Sequence, residues 1–176
     1  MGGVRNRRWR LYRLARSRLC RETGSQVGRS PSGAGAGAAA ILLGAVTAPA
    51  TATPLTCLIV DDSPPFLEAA RQLLADDGIE VVGFATTADQ AMNKTLALAP
   101  DVALVDIDLG TESGFDVARR LAGLPNGGPP VVLISAESGS ELAELVDASG
   151  ALGFVSKTDL SGHAIRKLLT RTDSGS

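Results

Sequence analysis

Between Leu55 and about Leu169, short apolar runs alternate five times with helix-period stretches, and no other pattern in the chain is as restrictive. The run Leu55–Val60 is almost continuously apolar, as in strands buried on both faces, and it ends in Asp61-Asp62. Ser63 then offers a helix N-cap and Pro64 a tolerated first-turn position. Phe66, Leu67, Ala70, Leu73 and Leu74 follow at helical spacing until Gly78 stops the helix. Ile79–Phe84 reads as a second strand and Ala88–Ala99 as a second helix, with Thr87 as cap and Pro100 as terminator. Val102–Asp106 is the third strand, and a polar loop through Gly110 leads to a helix from about Phe115 to Leu121. The segment Pro125-Asn126-Gly127-Gly128-Pro129 turns the chain into a fourth strand, Val131–Ile134. Glu141–Ala148 reads as the fourth helix and Gly153–Val155 as the fifth strand. The last helix covers about Leu160–Leu169, with Ile165, Leu168 and Leu169 inward.

Strand–helix alternation with short connections predicts a parallel sheet covered by helices on both faces, because parallel neighbours need crossovers and crossovers are right-handed. Five such units suggest an α/β fold with a doubly wound, flavodoxin-like five-stranded parallel sheet in the order 2-1-3-4-5. Such sheets work in the crevice beyond the carboxyl ends of the strands, where the strand order reverses between strands one and three. Every predicted strand except the second ends in a polar group at that edge: Asp61 and Asp62, Asp106, Ser135, and Lys157. One Asp after a strand is an ordinary turn residue, but five such groups at one edge are hard to assign to turns. Clustered carboxylates repel and raise one another's pKa unless a divalent cation neutralises them, and hard oxygen ligands of this kind select magnesium.

Charge divides the chain. Residues 1–54 carry nine Arg against one acid, and residues 55–176 carry eight basic against eighteen acidic side chains. The acidic part repels phosphate backbones and has no basic cluster, so direct nucleic-acid binding by it is not expected. Cys20 and Cys57 have no ligand-like spacing, which argues against a disulfide framework or a zinc site and suits a cytoplasmic setting. Residues 1–54 are Arg-rich and then Ala/Gly-rich, with one short apolar centre at Ile41-Leu42-Leu43. We read them as a disordered extension or a mis-assigned start. A targeting peptide is the alternative, and a membrane span is not expected because the apolar stretch is too weak.

The segments Leu58-Ile59-Val60-Asp61-Asp62-Ser63, Val105-Asp106, Ser135-Ala136 and Phe154-Val155-Ser156-Lys157 resemble the signature of response-regulator receiver domains, with a receiver domain over 55–172. The resemblance implies that Asp106 is the phosphoacceptor. It implies that Asp61 and Asp62 hold Mg2+ with Asp106 and the backbone carbonyl of Asp108, that Ser135 and Lys157 contact the new phosphoryl group, and that Ser135 and Phe154 form the switch pair. Asp108 and Glu137 match positions that face the attacking water. The implied donor is a sensor histidine kinase. Because few residues follow the last helix, a stand-alone switch is expected, acting on an unknown output partner through the helix 4–strand 5–helix 5 surface, with homodimerisation on phosphorylation left open. It would be a phosphoacceptor and not a turnover enzyme. The alternatives are a phosphorelay intermediate and, from Asp106-Ile107-Asp108, a haloacid-dehalogenase-like phosphatase, although that family places its Asp-x-Asp after the first strand. Two departures stand out. Gly110 replaces a frequent Pro, which predicts a more mobile loop over Ile107–Ser113. Thr158 replaces the Pro that usually follows the Lys, which predicts a trans peptide and an altered start to the last helix.

Overall fold

The computed structural model describes Leu11 and residues 54–136 and 142–171. The extension expected over 1–54, apart from Leu11 and Pro54, lies outside those residues, as do Glu137 and Glu141. Five strands form one parallel sheet: β1 (Leu55–Val60), β2 (Ile79–Ala85), β3 (Val102–Asp106), β4 (Val131–Ser135) and β5 (Gly153–Ser156). Their order is β2-β1-β3-β4-β5, the doubly wound arrangement expected from the alternation.

The continuous apolar runs arise because the central strands are covered twice. Alternate side chains point to opposite faces. Leu58 and Val60 of β1, Ala103 and Val105 of β3, and Leu133 of β4 enter one core, under α2 (Ala88–Leu98), α3 (Gly114–Ala122) and α4 (Ala143–Ser149). Cys57, Ile59, Val102, Leu104, Val132 and Ile134 enter the other, under α1 (Pro64–Asp76) and α5 (Gly162–Arg171). Each fully buried Leu or Ile contributes roughly 1.5–3 kcal/mol of transfer free energy. No helix among the described residues is long and apolar enough to cross a membrane.

Helix boundaries follow local chemistry, with some differences from expectation. Pro64 opens α1, but the Ser63 side chain makes no capping bond; its backbone N–H instead donates to Asp61 Oδ1 at 2.8 Å. Thr87 caps α2 by accepting from Gln90 N, and α2 stops at Leu98 because Ala99 turns left-handed. The Ile107–Ser113 segment, expected as a loop, contains a short ribbon. Asp108–Leu109 and Glu112–Ser113 pair as an antiparallel ribbon about Gly110, whose φ is +61°, and Leu109 is buried. Glu112 reaches beyond the ribbon, its Oε2 accepting from the first N–H of α2 at Ala88, 2.7 Å away.

The last helix starts later than its periodicity suggests, at Gly162 and not near Leu160, and the Lys157–Thr158 peptide is trans, as Thr158 predicts. There is no cis peptide among the described residues, and a short 3-10 turn, Lys157–Asp159, follows β5 before α5 begins at Gly162. The Asp77 carboxylate, at the end of α1, accepts from Gly162 N–H at 2.6 Å. Arg166 of α5 donates back to the carbonyls of Asp77 and Gly78.

Candidate functional site

Strand register brings the expected polar residues to one edge. Val60 pairs with Val105, Asp106 with Ile134, and Ser135 with Ser156, so Asp61, Asp106, Ser135 and Lys157 leave the sheet at neighbouring points. Asp61, Asp106 and Ser135 are buried, whereas Asp62 is exposed. The turn after β1 orients Asp61: Ser63 N–H fixes Oδ1, which leaves Oδ2 facing inward. Ligand oxygens of Asp61, Asp62 and Asp106 all lie within 4.8 Å of one another.

Lys157 holds this acidic group together. Its ammonium donates to Asp106 Oδ2 at 2.7 Å and forms an ion pair with Asp61 Oδ2, also at 2.7 Å. Asp61 Oδ2 is buried and makes no hydrogen bond in good geometry, so that charge contact is what compensates it. Burial lifts the Asp106 carboxyl above its ordinary pKa. The Asp61 charge adds to the shift, while Lys157 and the Asp108 backbone N–H oppose it. Burial disfavours the Lys157 ammonium, but its bonds to Asp106 and Asp61 outweigh that and hold its pKa above the usual lysine value.

The three carboxylates fit a divalent cation. They offer hard oxygens, carry an excess of negative charge over the single ammonium, and include one buried oxygen without a hydrogen bond. The Asp108 side chain is exposed and is not part of that group. Phe154 is half-buried on β5 and packs against the α2–α4 core.

Two contributors escaped the sequence reading. The ring of Phe66, assigned from periodicity to the helix core, lies with its centroid 4.5 Å from the Lys157 ammonium. Gly114 starts α3 directly against the backbone of Asp106, where a Cβ would meet the carbonyl oxygen at 1.9 Å. No local spacing signals either contact.

The model of the response regulator receiver domain matches residues 57–169, well over half of the chain. The chain belongs to the response regulator receiver family. Receiver domains are phosphoacceptor switches, phosphorylated by histidine kinases and binding Mg2+ through acidic pocket residues. This receiver is 41% identical over 105 residues to protein-glutamate methylesterase/protein-glutamine glutaminase 2 of Syntrophomonas wolfei, a match covering 59% of this chain and 30% of that protein. It is 29% identical over 105 residues to the DNA-binding transcriptional activator EvgA of Escherichia coli, covering 60% and 51%. The receiver thus spans about a third to a half of the length of such relatives. Among solved structures it superposes on the signal receiver domain of NarL from Mycobacterium tuberculosis with a TM-score of 0.59 and 26% identity, covering 69% of this chain and 98% of that one. The response regulator domain of CheB from Thermotoga maritima, at 20% identity and a TM-score of 0.59, shares the fold, with 70% of this chain and 100% of that one covered.

Proposed function

We propose that this receiver accepts a phosphoryl group on Asp106 from a phosphohistidine kinase in the cytoplasm and signals through a phosphorylation-dependent change of the α4–β5–α5 surface. The observation that carries the reading is the Lys157 ammonium 2.7 Å from both Asp106 Oδ2 and Asp61 Oδ2, at the rim of the sheet. An Asp106 carboxylate oxygen attacks the phosphorus, the P–N bond to the donor imidazole breaks, and its electron pair leaves with that ring. Asp61, Asp62, Asp106 and the backbone carbonyl of Asp108 would hold Mg2+, which when bound supplies neutralisation of phosphoryl oxygens. Lys157 supplies the second positive charge, and it needs little movement to do so from where it stands. The Ser135 hydroxyl donates to a phosphoryl oxygen. Drawing Ser135 toward the added charge opens space for the Phe154 ring to turn inward, which alters the face formed by α4, β5 and α5 and so the fit of an output partner or a second copy.

Incubation of the full chain with acetyl phosphate and Mg2+, followed by intact mass and peptide mapping, tests the assignment. One phosphoryl group on Asp106, lost in Asp106→Asn and in chelator, is expected. Labelling that persists in Asp106→Asn, or steady release of phosphate from a generic phosphomonoester, would overturn it.

A further inference from the structure

We infer that Phe66 is a positioning residue for the receiver chemistry, its ring face holding the Lys157 ammonium in register with Asp106. The inference rests on the phosphoacceptor reading above, and it concerns how this chain keeps its cation in place.

The ammonium ends a four-carbon stem that carries many rotamers, and freezing it costs conformational entropy. Two carboxylates draw it in, Asp61 Oδ2 and Asp106 Oδ2 at 2.7 Å each. They cannot hold it throughout the reaction, because the same two groups belong to the carboxylate cluster that fits a divalent cation, and Asp106 gives up a carboxylate oxygen to the phosphoryl group. A holder that neither binds metal nor reacts is therefore useful. The Phe66 ring, with its centroid 4.5 Å from Nζ, lies within the ~6 Å over which the negative face of an aromatic ring attracts a cation. The Lys157 side chain is only 18% exposed, so the attraction operates with little screening by water.

The ring is placed by the same turn that orients Asp61. Ser63 N–H fixes Asp61 Oδ1 at 2.8 Å, the Ser63 carbonyl accepts from Leu67 N–H at 3.0 Å, and Pro64 and Pro65 open the helix between them. Phe66 is then the third residue of α1, in its first turn, half-buried against the core under α1 and α5. A leucine there would fill similar space but present no ring face.

The test replaces Phe66 with mono-, di- and trifluorinated phenylalanines by nonsense suppression. Fluorine withdraws density from the ring face while leaving its shape nearly unchanged. The measured quantity is the rate of Asp106 phosphorylation by acetyl phosphate at saturating Mg2+. A stepwise fall along the series is expected, reaching about two- to thirtyfold for full loss of the attraction, with Phe66→Leu at the slow end and Phe66→Tyr close to the parent. Phe66 acting only as core filler would leave the fluorinated series flat. A flat series alongside a parent that labels on Asp106 and slows in Lys157→Met overturns the role of Phe66 alone. A parent that does not label on Asp106 overturns both readings.

Discussion

Replacing Gly114 with alanine would show how tightly the fold and the acceptor are joined. The new Cβ would lie 1.9 Å from the Asp106 carbonyl oxygen, 2.7 Å from its carbon and 2.8 Å from Ile107 Cα. Such contacts do not occur below 3.0 Å, so the two backbone segments must part by about 1 Å. Neither can yield easily. Asp106 is paired with Ile134, Ile107 N–H donates to the Ile134 carbonyl at 2.9 Å, and Gly114 N–H donates to the Ile107 carbonyl at 2.9 Å. Overpacking costs about 1–3 kcal/mol, toward the upper end when only backbone can give, against roughly 5–15 kcal/mol of total stability for a domain. The functional loss should be larger than the structural one. A displacement of about 1 Å at a reacting group costs on the order of a hundredfold in rate, here by drawing Asp106 away from the Lys157 ammonium. Urea melts report the first effect, and the acetyl phosphate labelling rate reports the second. A Gly114→Ala protein melting within about 0.5 kcal/mol of the parent and labelling at the parent rate would refute the argument.

Three other outcomes follow from the site and its supports. Burial raises the Asp106 pKa in the fold, so its stability contribution is complete only below the unfolded value of about 3.9 and is lost as pH rises through the folded value. Without metal, Asp106→Asn should therefore be more stable than the parent at pH 7, with the gap closing on acidification; a less stable variant at pH 7 contradicts the sign. Magnesium should raise the urea midpoint by an amount equivalent to about 2.7 kcal/mol at one hundred times its Kd, and Asp61→Asn should remove most of that shift. An undiminished shift in Asp61→Asn would place the ion elsewhere. Asp77→Ala deletes the acceptor for Gly162 N–H at the start of α5 and should cost about 1 kcal/mol, seen as faster amide exchange in that first turn. Unchanged exchange would mean the bond contributes nothing.

The strands are readable because β1, β3 and β4 lie inside the sheet and carry apolar side chains into both cores, so that Leu55–Val60, Val102–Asp106 and Val131–Ser135 stand out without any knowledge of their partners. The polar residues at their carboxyl ends were readable for the complementary reason that topology sends all of them to one edge. What stayed hidden depends on contacts distant in sequence. Periodicity gives Phe66 to the core and says nothing of the Lys157 ammonium beside its ring. The start of α5 at Gly162 rests on Asp77, far back in the chain, and the apolar periodicity that begins near Leu160 could not reveal it. The ribbon about Gly110 gives no sequence signal because each of its strands is two residues long, below what alternation can register.

The placement of charge at this edge makes little sense for folding alone. Asp61 follows the buried apolar run Cys57–Val60 and Asp106 ends the buried apolar run Val102–Val105, so apolar side chains there would continue the core and avoid desolvating two carboxylates. The fold instead compensates them with a single ammonium, and Asp62 adds a third negative charge within 4.8 Å. An arrangement that is underneutralised when empty gains most from binding a cation and from sharing an acceptor oxygen with a phosphoryl group. Local sequence choices that oppose stability are expected where a site must do work, and in this chain they fall at the ends of its best-buried strands.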